Sequence, residues 1–159
     1  MDEVTYPVWI RKGYLFNLRE VYDGLYVGAI TAIEHRIDWH AAIDVHGSAG
    51  DDAFQEKRDR AFGKVKGPVI RWPILDNTRV PTSLLEAAQI VYLHKKGPML
   101  ISCALGMSRS ASVAYGLIRL NHGFDHKVAL KMVSESDFSR PDPYVIESVA
   151  EWVETVRNG

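Results

Sequence analysis

The chain has 159 residues, 47% apolar and 25% charged, enough for one buried core and too few for two comfortable domains. Its 19 lysines and arginines nearly balance 20 aspartates and glutamates, and a formal charge of −1 excludes a global electrostatic pull toward nucleic acid or an acidic membrane. The start, MDEVTYPVWIRKG, carries no apolar leader core, no stretch approaches the ~18 apolar residues of a membrane span, and one cysteine excludes an internal disulfide or a cysteine-rich zinc site. A soluble, cytoplasmic, monomeric protein is expected.

Residues 1–20 could be an extension ahead of the domain. Strand-forming residues alternate through 21–29, VYDGLYVGA, and Thr31 with Glu34 has capping-box spacing, which predicts a helix of about two turns. AAIDV (41–45) reads as a strand. Between His46 and Pro68 four glycines and dense charge leave no convincing period, so an exposed loop or frayed helix is expected. Its Lys57, Arg58, Arg60, Lys64 and Lys66 interleave with Asp51, Asp52, Glu56 and Asp59, the pattern of a solvated face; recognition of acidic substrates is the alternative.

Pro68 to Leu75 restarts an extended run, and DNTRVP (76–81) has the composition of a loop. Ser83 and Glu86 give a second capping-box pattern. The helix it opens would bury Leu84, Leu85, Ala88, Ile90, Val91 and Leu93 and end at His94-Lys-Lys-Gly97. Residues 98–102 form a short apolar strand of the buried kind, 103–108 a loop, and 109–122 a helix stopped by Gly123. Two helices follow, roughly 125–135 and 143–157, with Asp125 as one N-cap and Asp142 before Pro143 as the other. The alternation predicts a single α/β domain over 1–159, with a central, mostly parallel sheet flanked by helices and its site at the carboxyl ends of the strands.

The segment Cys103-Ala104-Leu105-Gly106-Met107-Ser108-Arg109-Ser110 falls where the buried strand hands over to a helix. A loop there can turn successive N–H groups inward around a phosphate, with the helix N-terminus adding partial positive charge, and Gly106 permits the tight bend. The same field favours a thiolate at Cys103. Arg109 can return its planar fork to the loop and hold two phosphate oxygens, a geometry lysine does not reproduce. Ser110 offers a hydroxyl near the sulfur, suited to stabilising the thiolate as it leaves phosphorus.

These residues resemble the Cys-x5-Arg-Ser/Thr signature of the protein tyrosine phosphatase superfamily, most closely its small dual-specificity branch. The resemblance extends to GLYVGA (24–29), the AAIDV strand, the PILD loop and the helices beyond the signature. It implies a two-step, metal-independent hydrolysis without a cofactor, through a cysteinyl-phosphate on Cys103. It further implies an upstream aspartate as general acid and base, which matches Asp76 in Pro73-Ile-Leu-Asp76. A leaving oxyanion does need an acid, and Asp44 at the end of a strand is the competing candidate. The family usually carries histidine immediately before the cysteine; Ser102 stands there, so a weaker push toward the thiolate is expected.

The loop positions Ala104, Leu105, Met107 and Ser108 include no lysine or histidine to grip further phosphates, which argues against inositide and RNA-triphosphate substrates. A phosphorylated protein is the expected partner, phosphotyrosine ahead of phosphoserine or phosphothreonine, with a non-protein phosphoester as the alternative. Arg79, three residues beyond Asp76, is a candidate substrate contact. The scattered histidines and the tryptophans read as structural. The rival from another class is a non-catalytic phosphate-binding domain that has lost turnover, for which Ser102 would be the sign. Arsenate reductases would need further cysteines, and a rhodanese-like carrier would not need Asp76.

Overall fold

A computed structural model of the chain describes residues 18–46, 52–75, 77–104, 108–134 and 141–159, with backbone alone at 52–54. Strands β1 (Leu18–Tyr22) and β2 (Leu25–Gly28) pair antiparallel about Asp23 and Gly24. The alternating stretch 21–29 is divided between these two strands, because Asp-Gly is a strong hairpin signal and Gly24 takes φ +74°. Thr31 does not open a two-turn helix. Residues Ala32–Glu34 form one 3-10 turn without a side-chain cap, closed by the Glu34 N–H on the Thr31 carbonyl at 3.0 Å.

Strand β3 (Ala41–Asp44) leads to helix α1 (Asp52–Phe62), then to β4 (Val69–Arg71), α2 (Thr82–His94), β5 (Met99–Ser102), α3 (Arg109–His122), α4 (His126–Val133) and α5 (Pro143–Asn158). The sheet order is β1-β2-β5-β3-β4, with β2, β5, β3 and β4 mutually parallel. Gly28, Ser102 and Asp44 are direct register partners and form one row at the carboxyl end. The α/β expectation holds, with β1 as the antiparallel edge.

Side chains alternate across β5. Met99, Ile101 and the following Cys103 join the larger core, packed under α2, α3 and α5 with Ile43, Val45, Leu84 and Val149. Leu100 joins Ala42, Trp39 and Phe62 on the opposite face. Each fully buried leucine or isoleucine contributes about 1.5–3 kcal/mol. By the same alternation Asp44 and Ser102 face the side covered by α1.

Of the exposed loop or frayed helix expected between His46 and Pro68, the structure has a helix, α1, and Arg58 corrects the expectation of a solvated face, since its side chain is fully buried. The reason is one of pattern: the residue α1 turns inward is a cation, so a hydrophobic period misses it. Arg60 and Lys64 do face solvent, and Lys66 is exposed beside Asp38. In α2 the helix begins a residue before Ser83, with Pro81 as N-cap and no capping side chain. Leu84, Leu85, Ala88, Val91 and Tyr92 are buried, while Ile90 and Leu93 point outward, each 61% exposed. Positions 84, 88, 91 and 92 share one helical face; 90 and 93 fall off it. The remaining boundaries hold: Gly123 ends α3 at φ +70°, Asp125 accepts the Val128 N–H, and Asp142 accepts those of Tyr144 and Val145. Among the described residues no helix is long and apolar enough to cross a membrane.

Candidate active site

The site grows from the end of β5. Cys103 N–H continues the parallel ladder onto the Gly28 carbonyl at 3.2 Å, and the Ile30 N–H then donates to the Ala104 carbonyl at 3.1 Å. Cys103 is 2% exposed, and its Sγ lies 3.1 Å from the Ser110 Oγ, itself fully buried in the first turn of α3. A hydroxyl at that distance can donate to a thiolate. Ser108 is the N-cap residue of α3 but does not cap it with its side chain. Its hydroxyl instead accepts the Asp142 N–H at 3.1 Å, and its carbonyl takes Ser112, which ties the end of the signature segment to the start of α5.

Arg109 donates from Nη1 to the Ile74 carbonyl at 2.9 Å. The Ile74 N–H in turn meets the Val45 carbonyl at 3.0 Å, so the chain leading to position 76 runs along the end of β3 and under the arginine. Asp76, Leu105, Gly106 and Met107 lie outside the described residues. Flanking Asp76, Leu75 is 77% exposed and Asn77 adopts φ +60°, a left-handed conformation asparagine tolerates better than most residues.

Asp44, the competing acid, is fully buried and ion-paired to Arg58 at 3.1 Å and Arg71 at 3.3 Å, and its Oδ1 accepts the His46 N–H at 3.0 Å. It sits on the sheet face opposite the one that Cys103 packs on. Arg79 is exposed, and its guanidinium pairs with Glu151 of α5. Ser102 is 1% exposed, and its hydroxyl finds no hydrogen-bond partner among the described residues.

Sequence reasoning missed His46. Half-buried just beyond β3, it is held below the ordinary imidazole value by burial first, then by the positive charges of Arg109 and Arg58, with Asp44 opposing. Its position two residues past a strand end, on the sheet's carboxyl edge, was the available signal. Trp39 and Trp152 are core residues, as read.

No family profile and no curated protein matches the chain. Solved structures do. Human DUSP28 superposes with a TM-score of 0.68 at 21% identity, over 88% of this chain and 95% of that one. PTPMT1 gives 0.70 at 14% identity, over 89% and 97%. The human tyrosine phosphatase-like serine/threonine/tyrosine-interacting protein gives 0.66 at 16%, over 89% and 98%. At these identities the likeness speaks for architecture alone. The chain has the fold of the small dual-specificity phosphatases.

Proposed function

We propose that the protein is a metal-independent phosphatase that hydrolyses phosphomonoesters, phosphotyrosine in proteins first among them, through a cysteinyl-phosphate on Cys103. The observation that carries this reading is the buried Cys103 thiol 3.1 Å from the Ser110 hydroxyl, at a strand-to-helix junction where Arg109 is the first helical residue. The Cys103 thiolate attacks phosphorus as the bond to the leaving oxygen breaks, and Asp76 gives that oxygen its proton. Water then attacks the phosphoenzyme, Asp76 takes a proton from it, and the S–P bond breaks to release inorganic phosphate. Ser110 donates to the departing thiolate. Backbone N–H groups of Ala104 through Arg109, with the Arg109 fork, carry the phosphoryl oxygens. Arg79 is a substrate contact only if it leaves Glu151.

The test is para-nitrophenyl phosphate turnover with chelator by wild type, Cys103→Ser and Asp76→Asn. Wild type no faster than Cys103→Ser would sink the enzyme reading. Asp76→Asn should slow expulsion of a poor leaving group by roughly 10²-fold or more, and an unchanged rate removes Asp76 from the role. Phosphotyrosine and phosphoserine peptides and an inositide then rank substrates; PTPMT1 has been solved in complex with PI(5)P, which makes the lipid a fair competitor. A second reading, phosphate binding without turnover, draws on the unpartnered Ser102 hydroxyl. It predicts vanadate binding in a protein that releases no nitrophenol.

A further inference from the structure

Arg58 is the largest fully buried side chain of the described residues. Its guanidinium is divided among β3, its own helix and the turn that follows β2. Nη2 pairs with the Asp44 carboxylate at 3.1 Å, Nη1 donates to the Gln55 side-chain oxygen at 3.3 Å, and Nε donates to the Ile30 carbonyl at 2.9 Å. Burial pulls its proton affinity down and Asp44 pulls it up, but an arginine stays charged in a protein. A buried ion pair is costly, and an apolar residue of equal volume could fill the same space. What an apolar residue could not supply is the directional bond to Ile30.

That bond has a continuation. Ile30 is itself fully buried, and its N–H donates to the Ala104 carbonyl, the first peptide after Cys103. With the Cys103 N–H on Gly28, residues 28–30 pin the start of the signature segment, and Arg58 pins residue 30 from the far side. In an anion-binding loop the N–H groups turn inward only if the carbonyls are held outward. We propose that Arg58 is a positioning residue for this loop, acting through Ile30 on the Ala104 carbonyl, with Asp44 as its buried counter-ion. The proposal rests on the phosphatase reading for its effect on turnover and on anion binding alone for its effect on the loop.

Two variants separate positioning from support of the fold. The double variant Asp44→Asn/Arg58→Met removes both charges at near-constant volume and keeps an oxygen for the His46 N–H. Arg58→Lys keeps the charge facing Asp44 but cannot fork across Ile30, Gln55 and Asp44. Two quantities are measured: para-nitrophenyl phosphate kinetics, and the vanadate concentration that halves alkylation of Cys103 by iodoacetate. In a double variant that melts cooperatively, kcat should fall by about 10- to 100-fold with KM within about threefold, and the vanadate concentration should rise about tenfold. A folded double variant with wild-type kcat and vanadate protection overturns the proposal. If that variant does not fold, Arg58→Lys decides: a loss in the same direction supports positioning, and wild-type values overturn it. A wild type without turnover sinks the phosphatase reading, and vanadate protection then decides positioning alone. A wild-type Cys103 that vanadate leaves unprotected overturns both.

Discussion

Ser102 and Asp44 are register partners at the carboxyl ends of β5 and β3, both closed to solvent, and they differ in whether their polar atoms are met. Asp44 engages two arginines and a backbone N–H, whereas the Ser102 hydroxyl meets no partner among the described residues. A buried unmet hydroxyl costs stability that alanine would recover. Ser102→Ala should therefore stabilise by ~1 kcal/mol and raise the thermal midpoint by ~2–4 °C. A lower midpoint would show that the hydroxyl is bonded. His46 makes the residue-scale case for pH. Its folded-state value is depressed, so the unfolded chain takes up the proton first as pH falls below the ordinary ~6.5, and stability is lost from there downward. His46→Asn should flatten the fall of thermal midpoint between about pH 6.5 and 5, and an identical slope would remove His46 from the acid response.

At the scale of elements, the junctions matter more than the interiors. Asp142 caps α5 with its side chain, while its own N–H holds the Ser108 hydroxyl at the end of the signature segment. Asp142→Ala should cost about 1 kcal/mol in urea unfolding and Asp142→Asn much less, since asparagine caps nearly as well. Equal losses would mean that the cap is not the cause. In the connection from α1 to β4, a Cβ on Gly67 would overlap the His40 carbonyl oxygen, which is backbone and cannot step aside. Gly67→Ala should destabilise by about 1–3 kcal/mol in the same assay, and a neutral result would show that the two segments can separate. Helix boundaries set by a cap or by Gly123 were legible in the sequence because the signal lies within a few residues. So were strand β5 and helix α3 on either side of the signature segment, where a lone cysteine, an arginine and a serine fall at fixed spacing. The inward face of helix α1 was not, because its inward residue is an arginine whose counter-ion, Asp44, is fourteen positions away, and no local period encodes a long-range ion pair. The lowered basicity of His46 was illegible for a similar reason, though its place past a strand end was not: the charges that act on it come from three different elements.

At the scale of the whole molecule, the described residues form two cores on one sheet, Trp39 belonging to one and Trp152 to the other. Because β3 and β5 supply side chains to both, neither core can open without the other. Unfolding followed by the fluorescence of Trp39 in a Trp9→Phe/Trp72→Phe/Trp152→Phe variant, and of Trp152 in a Trp9→Phe/Trp39→Phe/Trp72→Phe variant, should in each case coincide with that variant's far-UV circular dichroism. Separated midpoints would make the α1 side an independent unit.

The strand order carries one more consequence, for the nascent chain. Strand β5 lies between β2 and β3, so until residues 99–102 emerge from the ribosome the β1–β2 hairpin and the β3–β4 pair have no common neighbour. They wait as two fragments with bare edges, the state in which partly made proteins are most prone to stick to one another. The strand that joins them is followed at once by Cys103. Continuity of the sheet and assembly of the cysteine's surroundings thus belong to a single late folding event, and a polypeptide stalled before it has neither.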